Sequence, residues 1–383
     1  MKKLFRISTV PSSLNVLLKG QLQYLDQYFD VTAVSGDGPD LEEVAQREGV
    51  KTHALEMQRQ ISPVKDLVSL IKLYFYFKKE KPDIIHSMTP KAGLLSMIAG
   101  KLAGVPVRIH TFTGLIFPNK RGFMQKILIL MDKLLCACAT NVNPEGEGVR
   151  NDLQNYKITK KPLEIIANGN VNGVDLKYFD HEIFSSKEKE NFRKELNIEE
   201  DDFVFLFVGR LVTDKGINEL TQAFVDINCK FPNTKLLLVG PFEEELDPLL
   251  PEVKKEINQN SNIISVGFQK DVRPYFAIAN VFVFPSHREG FPNVLLQAGA
   301  MGLYSIVTNI SGSNEIVKNG INGQIIAVNH KNELGLVLEN ILPKKQELAM
   351  SENVCRSLIE ENYDQYYVWD CLKNKYYSLV DNN

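Results

Sequence analysis

The feature that most constrains this chain is an alternation that occurs twice. In the first half, short apolar runs ("LFRISTV", "VTAVSG", "DIIHSM", "VRIHTF", "ATNVN" and "LEIIANG") are separated by segments long enough for helices. After the polar stretch 181–202 ("HEIFSSKEKENFRKELNIEEDD") the pattern restarts with "FVFLFVGRL", "KLLLVG", "NIISVG", "VFVFPS", "YSIVTN" and "GQIIAV". Runs that are apolar throughout predict strands buried on both faces, and such strands alternating with helices predict a doubly wound parallel α/β sheet. Two sets predict two Rossmann-like domains facing across a cleft. At 383 residues the chain is also too long for one ordinary core. The expected division is an N-terminal domain over 1–175, a C-terminal domain over 176–360, and a helical segment, 361–383, that closes the second domain or returns to the first.

Charge is unevenly distributed. Residues 1–175 carry 23 Lys and Arg against 17 Asp and Glu, whereas the remainder carries 21 against 30. Between residues 60 and 135 there are 12 basic and 4 acidic residues, and "YFYFKKEK", "FPNKRGF" and "MQKILILMDKLLCACA" mix cations with large apolar groups. That mixture suits an anionic membrane surface, the alternative being core helices with solvated lysines. The longest apolar stretch, Ile127 to Ala139, is interrupted by Asp132 and Lys133 and is too short to span a bilayer. No signal peptide is evident, so the expected location is cytoplasmic, peripheral on the inner face of the cell membrane. Nucleic acid is not an expected partner. Five cysteines, odd in number and without zinc-ligand spacing, read as reduced packing residues, and no metal is expected.

Two stretches carry chemistry. In "FVGRLVTDKGINEL" a strand ends at Gly209, Arg210 follows, and Lys215 precedes a helix. Ligands of such sheets bind beyond the carboxyl ends of the strands, and helix N-termini hold anions. Arg210 and Lys215 therefore stand where a diphosphate would be held and where charge on a departing nucleoside diphosphate would be stabilised. The plainer alternative is a surface Arg and a solvated Lys beside a helix start. In "VFVFPSHREGFPNVLLQAGAMG" a strand leads through Glu289 and a Gly-Phe-Pro turn, with Phe291 and Pro292, into a helix starting near Asn293. The amides of Asn293 and Val294 open that helix and can meet phosphate or sugar, and Glu289 can accept from a sugar hydroxyl. A capping Glu is the alternative.

With these stretches, "TNISGSNEIVKNGINGQI", and "NGVDLKYF" at the linker, the chain resembles the retaining glycosyltransferases of family 4, which have the GT-B fold. The N-terminal "STVPSSLNVLLKGQLQYL" and "HSMTPKAGLLSMIAGKLAGVPVRIHTFTGLIF" resemble the capsule and O-antigen subgroup of CapM- and PglA-like enzymes. The resemblance covers nearly the whole chain. It implies a UDP-sugar as donor, no separate cofactor, and a polyprenyl-diphosphate-linked sugar as acceptor, with N-acetylgalactosamine the first expectation for the transferred sugar. It also implies metal-independent transfer by front-face attack, with Arg210, Lys215 and Glu289 as the catalytic set.

The family pattern Glu-x7-Glu stands here as Glu289-x7-Gln297. Gln297 keeps one carbonyl acceptor for the ribose hydroxyls and adds donors, a change expected to weaken nucleotide binding more than chemistry. Where many relatives carry a His that approaches the donor sugar, this chain has Thr113, with His110 three residues earlier. By the same resemblance Gly20 lies in the turn that meets donor phosphates or acceptor, and Phe268 in "VGFQKDV" belongs to the nucleobase loop. Lys91, at the start of the helix in "TPKAG", is placed for the acceptor's lipid diphosphate. Two rival readings share the fold. A GT-B sugar-nucleotide epimerase would need acid/base carboxylates for which no matching set is found, and a non-catalytic sugar-nucleotide-binding protein would not need Arg210, Lys215 and Glu289 together.

Overall fold

The computed structural model describes residues 1–58, 62–245 and 247–381. The chain divides into two compact units, Met1–Gly173 with Gln365–Asn383, and Val174–Asp364. The first contains the strands β1 (Lys3–Ile7), β2 (Asp30–Ser35), β3 (Lys51–Ala54), β4 (Ile84–Ser87), β5 (Val107–Phe112) and β6 (Asn141–Pro144) in the spatial order β3-β2-β1-β4-β5-β6. The second contains β7 (Phe203–Val208), β8 (Thr234–Val239), β9 (Ile263–Ser265), β10 (Val281–Phe284), β11 (Ser305–Thr308) and β12 (Gly323–Ile326) in the order β12-β11-β10-β7-β8-β9. All named pairings are parallel. Both sheets thus have the doubly wound order, in which the chain turns back between its first and fourth strands and leaves a crevice at their carboxyl ends. In the second unit that crevice lies beyond β7 and β10.

The two-sided burial expected of the strands is observed. In the first sheet Phe5, Ile7 and Ile85 pack with Leu73, Phe77, Leu95 and Leu135 from the helices Pro63–Glu80, Pro90–Ala103 and Gly122–Cys138. Their neighbours Leu4, Val31 and Ile84 point the other way, onto Leu14, Leu22 and Val44, and onto Leu372 and Tyr376 of the helix Gln365–Asp381. Successive side chains alternate across a strand, so a sheet covered on both faces has few polar positions to give.

All six strands expected in the second unit are present. In the first, "LEIIANG" is not a strand: it makes isolated bridges only, and Ala167 turns to a positive φ of 52°, which breaks an extended run. The sheet contains β3 instead. That strand, "KTHA", lies at the sheet edge with no fully buried residue, so it carries no apolar signal.

Arg6, buried among the sheet and the C-terminal helix, donates from Nη1 to His86 Nδ1 at 2.8 Å and to the Tyr376 hydroxyl at 2.5 Å. Because a guanidinium only donates, His86 Nδ1 accepts, and its proton lies on Nε2, 2.7 Å from Thr111 Oγ1. Burial, aided by the Arg6 charge, holds His86 well below the usual imidazole range and therefore neutral. A cavity of about 20 Å³ beside this network, lined by Arg6, His86, Asn143 and Glu145 among others, has room for roughly one water and none for a sugar.

Candidate functional site

Three loops at the carboxyl ends of β7, β10 and β11 meet in the second unit. The loop after β7 carries Arg210, Asp214 and Lys215 and ends at Gly216, which has a φ of 71° and opens the helix Ile217–Asn228. A side chain at Gly216 would strike the carbonyl of Pro285, so glycine lets this loop lie directly on the loop after β10. The contact is then fixed by hydrogen bonds. His287 N donates to Asp214 O at 2.8 Å, and Arg288 Nε lies 2.9 and 2.7 Å from the two carboxylate oxygens of Asp214. Gly312 brings the loop after β11 onto Gly290 and Phe291, where a Cβ would meet Phe291 Cα at 2.8 Å.

This junction brings Lys215 and Glu289 together. Their side chains form an ion pair, 16% and 15% exposed, with the Lys215 ammonium 5.6 Å from the centre of the Phe284 ring. Arg210, just past Gly209 at the end of β7, pairs with Glu243 in the loop after β8 and stays 53% exposed. Two cations at strand ends, each paired with a carboxylate, place positive charge where ligands of doubly wound sheets bind.

The helix expected after the Gly-Phe-Pro turn is Asn293–Ala300, with Pro292 as its N-cap residue and Phe291 buried against Tyr363 at 5.6 Å. Val294 lies in its first turn, where no preceding turn supplies a carbonyl. Gln297 is one turn beyond Asn293 on the same face, half-buried, with no protein partner for its side-chain amide among the described residues. Phe268, in the loop after β9, has an exposed ring.

The four residues expected to contribute from the first unit have other local environments. Gly20 has a φ of 80°, and its missing Cβ would lie 2.8 Å from Trp369 Cη2, so packing of the C-terminal helix accounts for glycine there. Lys91 is buried and donates to both oxygens of Asp66 at 2.8 and 2.9 Å, which ties the helix Pro90–Ala103 to Pro63–Glu80. His110 is 1% exposed, bonds Ser87 Oγ through Nδ1 at 2.8 Å, and is pushed by burial down to about 3. That is a core histidine. Thr113 donates from Oγ1 to Met88 O at 3.0 Å and is half-buried. Sequence reasoning did not find Glu243, Asp214 or Arg288 as partners in the second unit. The acidic run "FEEELD" at the end of β8 was a signal for the first of these.

Two doubly wound parallel sheets, one in each unit of the chain, are the architecture of the GT-B fold. The sequence pattern described as Glycosyl transferases group 1 matches residues 188–357, and that described as Glycosyl transferase 4-like matches residues 6–145. The chain is 34% identical over 389 residues to the capsular polysaccharide biosynthesis glycosyltransferase CapM of Staphylococcus aureus, covering 99% of this chain and 98% of that one. It is 31% identical over 328 residues to the UDP-Gal:alpha-D-GlcNAc-diphosphoundecaprenol alpha-1,3-galactosyltransferase of Escherichia coli, covering 85% and 82% of the two chains. The solved structure of Anabaena Alr3699/HepE in complex with UDP superposes with a TM-score of 0.82 at 18% identity, over 99% of this chain and all of that one. The chain belongs to the family 4, group 1 glycosyltransferases, as its motifs implied.

Proposed function

We propose that the protein is a retaining, metal-independent transferase that moves a hexose or N-acetylhexosamine from a UDP-sugar to a polyprenyl-diphosphate-linked sugar in capsule or O-antigen synthesis. The acceptor class puts its work at the cytoplasmic face of a membrane. The observation that carries the reading is the Lys215–Glu289 pair beside Arg210 at the ends of β7 and β10. A diphosphate draws Lys215 and Arg210 onto its oxygens and frees Glu289 to accept from a hydroxyl of the donor sugar. The two cations then stabilise the leaving diphosphate, so no bound metal is required for that charge. Front-face attack, in which the leaving oxygen helps take the acceptor proton, follows from the family resemblance and leaves the protein the tasks of orientation and electrostatic stabilisation. Gln297 meets the ribose, and the Phe268 loop meets the base. N-acetylgalactosamine is the first sugar to test, with galactose as its competitor because the Escherichia coli relative is named for it.

The test is turnover of a panel of UDP-sugars with a short-chain polyprenyl-diphosphate sugar, without added metal, in the wild type and Gln297→Glu. Product from one donor, with retained anomeric configuration, supports the reading and names the sugar. If UDP binds but no donor turns over in either protein, the transferase reading with this acceptor fails.

A further inference from the structure

We propose that a cavity at the amino ends of β11 and β12 is a separate saccharide site, which takes a neutral monosaccharide or disaccharide unit at the end of the sheet opposite the donor loops. This goes beyond the functional reading above and does not rest on it, since saccharide binding can be measured without a donor.

The direction of the strands separates the two places. Lys215, Glu289 and Gly312 follow the carboxyl ends of β7, β10 and β11, whereas Tyr304 immediately precedes β11 and Gln324 is the second residue of β12. The two strands run parallel with Ile306 beside Gln324, so Tyr304 and Gln324 lie together at the amino ends. β12 is also the edge of its sheet, so no further strand covers this side. The chain leaves β12, passes through the helix Lys331–Ile341 and turns at Leu342–Lys344 into the helix Lys345–Met350, and residues of these segments complete the wall. The enclosed space is about 420 Å³, against roughly 300–1,000 Å³ for small-molecule sites in general.

The lining selects the ligand. Half-buried Tyr304 and Gln324 stand with the buried Ile341 and Leu348, and exposed Asn340, Lys344 and Glu347 lie nearer solvent. None of the five polar side chains has a hydrogen-bond or ion-pair partner among the described residues. Lys344 and Glu347, three residues apart and opposite in charge, do not pair with each other. Burial raises the Tyr304 hydroxyl above its ordinary range, so it keeps its proton and can donate. Two amides, a phenol, an ammonium and a carboxylate offer donors and acceptors side by side, with one charge of each sign. A phosphate or nucleotide calls for converging cations and would meet Glu347. A zwitterion would engage Lys344 and Glu347 but leave the amides and the phenol unmatched. The hydroxyls of a sugar both donate and accept, and its C–H face can pack on the Tyr304 ring with Ile341 and Leu348 below.

The test is a ligand-observed NMR titration of the full chain, without UDP-sugar, using galactose, N-acetylgalactosamine, N-acetylglucosamine and chitobiose, with inorganic phosphate and glycine as controls. At least one of the sugars should bind. Asn340→Trp, which places an indole in the cavity, should abolish that binding. Glu347→Ala should weaken it about tenfold and Gln324→Ala about fivefold. Asn340 and Glu347 are exposed, so their variants should melt with the wild type, which separates lost binding from lost folding. Tighter binding of chitobiose than of N-acetylglucosamine would support the site with a glycan chain as its source, and equal affinity would support it with a free sugar. Failure of every sugar to bind would overturn the proposal. So would sugar binding that Asn340→Trp and Glu347→Ala leave unchanged, which puts the sugar elsewhere, or variant-sensitive binding of phosphate or glycine with no sugar bound. A protein that turns over no donor but binds a sugar here keeps this site and loses only the transferase reading.

Discussion

Replacing Gly216 with Ala tests whether the junction between the loops after β7 and β10 sets the catalytic geometry. Gly320 provides a matched control, because its φ of 79° is close to the 71° of Gly216 while nothing lies within 4 Å of its missing Cβ. Alanine in the left-handed region costs about 1–2 kcal/mol at either position. At Gly216 the new methyl also meets the Pro285 carbonyl carbon at 2.8 Å and its Cγ at 3.0 Å, contacts that force a backbone shift. Overpacking of this kind adds about 1–3 kcal/mol, so Gly216→Ala should cost roughly 2–5 kcal/mol against about 1–2 for Gly320→Ala. The shift also parts Lys215 from Glu289, and misplacement of catalytic groups by about 1 Å can cost on the order of a hundredfold in rate. Urea unfolding and donor turnover of the two variants measure both effects. Equal destabilisation, or wild-type turnover in Gly216→Ala, would refute the claim that this contact positions the site.

Three further outcomes follow from the same geometry. If Gln297 meets the donor ribose as proposed, Gln297→Glu supplies a charged acceptor for its hydroxyls, so the donor KM should fall about fivefold with kcat nearly unchanged, the difference of about 1 kcal/mol between neutral and charged hydrogen bonds. The sheltered Lys215–Glu289 pair and the exposed Arg210–Glu243 pair should differ in stability: Glu289→Gln should cost about 3 kcal/mol by chemical denaturation, and Glu243→Gln less than about 1 kcal/mol. The pH dependence has two opposed contributions in the first unit. His110 sits at about 3 when folded against about 6.5 unfolded, so between these values only the unfolded chain holds its proton, and stability is lost as pH falls below about 6.5. Burial raises Asp132 to about 7 against about 3.9 unfolded, so its folded state holds the proton in that interval, and stability is lost as pH rises from about 4 to 7. In plots of unfolding free energy between about pH 4.5 and 6, His110→Asn should lower the slope by about 1.4 kcal/mol per pH unit and Asp132→Asn should raise it by as much.

The strands of the second unit could be read from sequence because each is an apolar run in a sheet covered on both faces, as "FVFLFV" of β7 shows with six buried residues. The edge strand β3 could not, since half-exposed Thr52 and His53 between exposed Lys51 and Ala54 give no run to detect. Arg210, Lys215 and Glu289 could be placed at strand ends, and Gln297 one turn into the helix that follows, because position within a loop or the first turns of a helix is local information. Their partners could not: Glu243 is 33 residues from Arg210, and Asp214 is 74 from Arg288. The family resemblance implies a ligand-facing glycine at Gly20, whereas the ring filling its Cβ position belongs to Trp369, at the other end of the chain. For Lys91 a helix start suggested a phosphate site, but its partner Asp66 lies on the preceding helix, where periodicity alone does not show the side chains meeting.

The difference in shelter between the two ion pairs bears on how the proposed donor site would fill. Arg210–Glu243 is open to water, so little free energy holds it and a phosphate can take the guanidinium at small cost. Lys215–Glu289 is mostly enclosed, and removing the lysine alone would leave a sheltered carboxylate without a partner. A bare phosphate that draws Lys215 away leaves Glu289 in that state. A UDP-sugar does not, because the hydroxyls next to its diphosphate can donate to Glu289 as the lysine leaves. The enclosed pair therefore favours a ligand that brings anion and hydroxyl donor together, and in this reading the pair whose lysine stabilises the leaving group also discriminates the intact donor from its diphosphate product.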